Sequence, residues 1–159
     1  MDHEGRLLIA ESGTGKLLRI APDARKLEVL ADSYDGYRFA TVKDLAIGSK
    51  GDLFVSSPLS GTVYRIRPED GFIGVLNQDL VMVEGLSLSP DGKRLVAAEP
   101  DASRVVVFDL PLELQAVNSW TLVDFSPSGL EPKGLAFDES GLLYVSLGDR
   151  EKIRIFDLE

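Results

Sequence analysis

The sequence contains no cysteine, which excludes disulfides, thiolate nucleophiles and zinc–thiolate centres. Its single histidine, His3, sits beside the N-terminus, where chains are poorly tied down. A Ser-His-Asp or histidine-dyad mechanism would have to run through that one residue, so such chemistry is not expected within this chain. Long apolar runs are also missing, although 44% of the residues are hydrophobic, and no stretch is long enough to span a bilayer as a helix. Met1–Arg6 lacks the basic-then-apolar layout of a secretory leader. The expectation is a soluble protein, cytoplasmic by default, or periplasmic or secreted if a leader upstream has been lost. Basic residues are outnumbered, 17 Lys and Arg against 26 Asp and Glu, for a net charge of −9. Nucleic acid and anionic membranes need a basic patch, so neither is an expected partner. Helix-compatible sequence is nearly absent too. The one such stretch, Pro111–Ala116, falls outside the repeat and reads as a loop insertion.

The repeat itself is clear. Glu4–Ala10, Lys50–Ser56, Asp91–Ala97 and Ser140–Ser146 align on the glycines at 5, 51, 92 and 141, with spacings of 46, 41 and 49 residues. Those spacings match four-stranded propeller blades. Each copy carries a tight turn at its glycine, then two strands joined by a Gly, Ser, Pro or Asp-rich turn. The second strands are Lys16–Ile20, Thr62–Ile66, Arg104–Asp109 and Lys152–Asp157. Inner strands precede three copies, at Asp44–Ile47, Gly85–Leu88 and Gly134–Phe137. Outer strands follow three, at Leu27–Leu30, Ile73–Leu76 and Trp120–Val123. Alternating apolar and polar residues with β-branched and aromatic types support strands throughout. The expected fold is all-β: a β-propeller segment of about four blades of four-stranded antiparallel sheet, near 1–36, 37–80, 81–126 and 127–159. The first blade lacks its inner strand and the last its outer one. Three arrangements suit such an arc, whose apolar faces and strand edges are open: part of a longer propeller, the expected case, association with another copy, or closure as a four-blade ring.

Two passages narrow the family. Leu30–Ile47 resembles the segment of strictosidine synthase-like proteins that precedes an Asn-Asp pair. Val83-Glu84-Gly85-Leu86-Ser87-Leu88-Ser89-Pro90-Asp91-Gly92-Lys93 resembles the Asn-Gly-Leu…Ser-Pro-Asp-Gly passage of SMP-30/gluconolactonase proteins. The resemblance implies a six-bladed propeller with calcium or another divalent ion in its central channel. It also implies lactone or ester hydrolysis or, in one branch, amine-aldehyde condensation. The family places Asn, Asn and Asp where this chain has Lys43, Glu84 and Lys133, next to Asp44, Gly85 and Gly134.

A charged lysine offers donors and no lone pair, so two of them repel a cation that wants six to eight oxygen ligands. No metal and no cofactor are therefore expected. Lys43, Glu84 and Lys133 are expected to hold the channel as a charge-assisted cluster, with Asp44 beside them, or to bind a small anionic molecule bearing a carboxylate or phosphate. Tyr34, Tyr37 and Phe39 form an aromatic loop that would rim a pocket or pack between blades. Glu11 and Glu99 are expected to bond turns, and Ser12-Gly13-Thr14-Gly15-Lys16 to be a hairpin turn and not a phosphate loop. The function expected is a non-catalytic or divergent propeller that binds a small molecule or a protein, with pairing to missing blades or to itself as a further possibility. The alternative is a lactonase- or esterase-like hydrolase of the same superfamily.

Overall fold

The strand segments fold as expected into antiparallel sheets, of which the middle two bury apolar side chains on both faces. The computed structural model describes residues 1–23, 25–110, 117–148 and 152–158, and the insertion expected at Pro111–Ala116 lies outside them. The first sheet contains β1 (Leu7–Glu11), β2 (Lys16–Ile20) and β3 (Leu27–Ala31). A short hairpin follows, β4 (Ser33–Tyr34) and β5 (Tyr37–Arg38). The second sheet runs β6 (Leu45–Ile47), β7 (Leu53–Ser57), β8 (Thr62–Arg67) and β9 (Phe72–Asn77). The third runs β10 (Leu86–Leu88), β11 (Arg94–Glu99), β12 (Arg104–Asp109) and β13 (Ser119–Asp124), and the fourth β14 (Pro132–Phe137), β15 (Leu143–Leu147) and β16 (Lys152–Phe156). Strand order within each sheet is chain order, so each sheet is a meander. The outer sheets have three strands and the middle two have four.

The sheets stack face to face as successive propeller blades. In β11, Leu95 and Ala97 join Phe54 and Val63 of the second blade, while Val96 turns the other way and meets Leu143, Val145 and Leu147 of the fourth. Leu8 and Leu17 of the first blade meet Leu53, Val55 and Ile66 of the second. Each fully buried side chain of this size stabilises the fold by roughly 1.5–3 kcal/mol. The outward faces of the end blades stay open, leaving Leu27 and Val29 exposed at one end and Ile153 and Ile155 at the other. No helix among the described residues is long and apolar enough to cross a membrane.

The inner strands β6, β10 and β14 lie beside one another. They begin at one rim of the array, here the leading rim, and end at the opposite, trailing rim in tight turns. In the turn after β14, the Asp138 carboxylate accepts the Ser140 and Leu142 amides at 2.9 and 3.0 Å and the Ser140 hydroxyl at 2.7 Å. The Ser140 hydroxyl is the main cause that holds this carboxyl below its ordinary value of 3.8; desolvation opposes it, and the Leu142 amide and Tyr144 hydroxyl add to it. A carboxylate with a depressed folded pKa contributes stability that is present above its unfolded pKa and lost as pH falls through the folded one. Asp138→Asn is therefore expected to flatten the fall in stability as pH drops below the ordinary value of 3.8, read as the urea midpoint against pH. An unchanged acid limb would contradict this role.

Candidate functional site

At the leading rim the backbone brings positions 43, 84 and 133 together. Lys43 N–H donates to the Ser56 carbonyl at 3.0 Å, and Glu84 N–H to the Ala98 carbonyl at 3.0 Å, so the two residues are tied to β7 and β11 of their own blades. Gly134 N–H donates to Ser146 Oγ at 2.8 Å in the same way. Gly85 abuts the Lys133 backbone: a β-carbon on it would lie 3.2 Å from the Lys133 carbonyl carbon and far inside contact with its oxygen.

Asp44 ties two blades. Its Oδ1 accepts the Leu45 amide at 2.8 Å and its Oδ2 accepts the Leu86 amide of the third blade at 2.9 Å. Ser56 Oγ donates to the Glu84 carbonyl at 2.7 Å across the same seam. Both Asp44 oxygens are thus committed to backbone amides. Sequence reasoning had placed Asp44 in the channel group and missed Ser56. The recurrence of serine at the matching place in the fourth blade, Ser146, was the available signal.

The side chains of Lys43, Glu84 and Lys133 do not form the expected charge-assisted cluster. Lys133 Nζ lies 3.7 Å from Glu131 Oε2, and no ion pair within 4.0 Å joins any two of the three residues. Lys43 and Lys133 are exposed and Glu84 is half-buried. A solvated ammonium gains little from pairing, because the Coulomb attraction is screened and two long side chains must be held still. Among the described residues, no three His, Cys, Asp or Glu side chains gather as a metal site.

The aromatic loop is a hairpin. Asp35 and Gly36 have φ of 51° and 81°, the left-handed pair that a type I′ turn requires. Tyr37 is 78% exposed and Tyr34 partly so. Of the two placements expected for this loop, Phe39 takes the packed one: it is buried between blades, with its ring centroid 4.6 Å from that of Tyr64. A ring with no polar atom is better placed in the seam, whereas Tyr37 keeps its hydroxyl in water.

Glu11 bonds its own turn as expected, whereas Glu99 reaches the distant backbone of Val81 and an arginine on the adjacent strand. Glu11 accepts the Gly13 and Thr14 amides at 2.8 and 2.9 Å and the Thr14 hydroxyl. That hydroxyl comes first among the causes that lower the Glu11 pKa. Glu99 accepts the Val81 amide and pairs with Arg104, both at 2.6 Å. Ser12–Lys16 connects β1 to β2 and opens no helix.

A family model described as the SMP-30/Gluconolactonase/LRE-like region matches residues 1–159. The chain is 26% identical over 166 residues to a gluconolactonase of Zymomonas mobilis, covering 90% of this chain and 46% of that protein. It is 27% identical to lactonase drp35 of Staphylococcus saprophyticus, covering 97% and 51%. With protein STRICTOSIDINE SYNTHASE-LIKE 4 of Arabidopsis thaliana it shares 28% identity, covering 90% and 41%. The solved structure of a gluconolactonase from Xanthomonas campestris superposes with a TM-score of 0.84 at 21% identity, over 99% of this chain and 57% of that one. The chain therefore spans about half the length of these relatives.

Proposed function

Because this chain belongs to the SMP-30/gluconolactonase/LRE-like family, we propose that it is a divergent member whose leading rim binds a small anionic molecule without a divalent cation. The observation that carries this reading is the donor set. Two of the three rim positions, Lys43 and Lys133, present exposed ammonium groups, which have no lone pair to offer calcium. The carboxylate of Asp44 is already committed to two amides. The residues present do not fit a calcium ion. They suit a carboxylate or phosphate held by the two lysines, with half-buried Glu84 accepting from ligand hydroxyls.

A second reading, a lactonase- or esterase-like hydrolase, is favoured by the names of the relatives, a gluconolactonase and a lactonase. In that case Glu84 would be the candidate general base.

Thermal unfolding with calcium and with a chelator, alongside an assay of gluconolactone hydrolysis, separates the two. A ligand that binds only the native state raises its stability. The expected result is a melting temperature indifferent to both additions and no calcium-dependent hydrolysis. A calcium-dependent rise accompanied by turnover would replace the first reading with the second.

A further inference from the structure

The trailing rim, opposite the site just described, shows a regularity across the blades. Its turns share a glycine, at Gly5, Gly51, Gly92 and Gly141, but differ three residues earlier, where Asp2, Gly48, Ser89 and Asp138 stand. Clefts open at this rim between successive blades. The first, between blades one and two, is lined by Asp2 and measures 120 Å³. The cleft between blades three and four is lined by Ser89 and measures 270 Å³. The middle one, between blades two and three, is lined by Gly48 and measures 640 Å³. Cleft size runs inversely with the side chain at that one position.

Where a side chain exists, it caps its own turn: Asp2 Oδ1 and Ser89 Oγ accept the Arg6 and Arg94 amides, each at 2.9 Å. At Gly48 the turn closes on backbone alone, through Gly48 N–H to the Asp52 carbonyl at 2.7 Å and Gly51 N–H to the Gly48 carbonyl at 2.9 Å. A cap is given up and a cleft is left in its place.

The middle cleft also differs in chemistry. Phe54, Leu88 and Leu110 supply apolar walls. Lys50, Arg65, Lys93 and Arg94 line it against three carboxylates, Asp52, Asp91 and Asp109, in a chain of net charge −9. Arg65 is committed to Asp52 at 2.7 Å, and Arg94 to the Leu158 carbonyl at 2.8 Å and to Asp109 at 3.5 Å. Those bonds fix the walls. Lys93 is exposed and only loosely paired, 3.5 Å from Asp91, and Lys50 is exposed with no ion pair among the described residues. The volume falls within the roughly 300–1,000 Å³ of small-molecule sites, which are mostly apolar with a few placed polar groups.

We propose that this cleft binds a small organic anion with a flat apolar body, the body against Phe54, Leu88 and Leu110 and the carboxylate at Lys50 and Lys93. The site is independent of the lysines at the leading rim.

The test titrates 1-naphthoate into the chain, followed by backbone amide NMR shifts, with neutral 1-naphthamide as the comparison. Gly48→Asp is the central variant. The atoms nearest a β-carbon there are the Asp52 carbonyl oxygen at 3.4 Å, Asp52 Cβ at 3.5 Å and Phe54 Cε2 at 3.8 Å. Its carboxylate would recreate the caps of Asp2 and Asp138 while filling the cleft with like charge. The variant is expected to melt no lower than wild type and to bind naphthoate about tenfold or more weakly; exposed Lys50→Glu should weaken it several-fold, and the amide should bind about tenfold more weakly than the acid.

The proposal is overturned if wild type shows no saturable shifts at Gly48–Asp52, or if the shifts gather instead at Ile153 and Ile155 on the open face. Equal affinity for the amide, or undiminished affinity in folded Gly48→Asp, overturns it as well. Should Gly48→Asp fail to fold, Lys50→Glu decides: unchanged affinity in that variant overturns the proposal.

Discussion

Gly85→Ala is expected to destabilise the chain by about 3 kcal/mol, or roughly 10 °C in melting temperature for a chain of this length. The added methyl would penetrate the Lys133 carbonyl oxygen and sit 3.5 Å from Gly134 Cα. Both are backbone atoms, so no rotamer change relieves the contact. The strain has to move β14 away from β10, which opens the packing of Val96 against Val145 and Leu147. Gly51→Ala is the matched control. Its φ of 85° disfavours a side chain, but nothing lies within 4 Å of the new methyl, so a loss of only about 1 kcal/mol is expected from the backbone conformation alone. Thermal or urea unfolding of the two variants checks the difference. Equal losses would show that the close approach of blades three and four costs nothing, and would remove Gly85 as the spacer at the leading rim.

Glu99→Ala is expected to cost about 2–3 kcal/mol. Glu99 is fully buried, yet its carboxylate is satisfied on both oxygens: Oε1 accepts the Val81 amide at 2.6 Å and Oε2 accepts Arg104 Nε at 2.6 Å. Arg104 stands directly opposite in the sheet register. The Glu99 hydrogen bond is the first cause that raises the Arg104 pKa. Removing the carboxylate orphans the Val81 amide and leaves a cation with one partner fewer. The Arg104 side chain is 37% exposed, so water recovers part of the loss and the cost falls below the upper range for a buried pair. Glu99→Gln keeps the shape and an acceptor for Val81, so it should lose about half as much. A second readout follows from place. Val81 belongs to the connection that delivers Glu84 to the leading rim, so Glu99→Ala should speed amide exchange at Val81 while the centre of β11 stays protected. Slow exchange at Val81 in the variant would mean that Glu99 does not anchor this connection.

Much of the fold was legible because its signals are local. The second strands Lys16–Ile20 and Arg104–Asp109 appear with the bounds expected from the sequence, since short apolar, β-branched runs between turn residues are a local signal. The missing inner strand at the start and the missing outer strand at the end also appear in the sheets. The turn glycines were legible for the same reason: Gly5, Gly51, Gly92 and Gly141 all have positive φ, a property of one residue. The hairpin at Ser33–Arg38 was less so. Asp35-Gly36 is a turn signal, but strands of two residues leave no period to count.

The site was less legible than the fold. The sequence by itself determined which groups line up at the leading rim, because the repeat places Lys43, Glu84 and Lys133 at one blade position. It also determined that two of the three carry ammonium groups, whereas their exposure came only with the structure. Only the tertiary structure decided what those groups touch. Lys133 leans to Glu131, Asp44 spans to Leu86, forty-two residues on, and Phe39 sinks onto Tyr64. The same holds for the widening of the middle cleft at Gly48, where the missing cap could be read locally but the cavity beyond it could not. Strand and turn preferences are settled by a residue and its sequence neighbours. A hydrogen bond or a void between blades depends on ångström distances across a seam that joins residues about forty positions apart, and no sequence period encodes those distances.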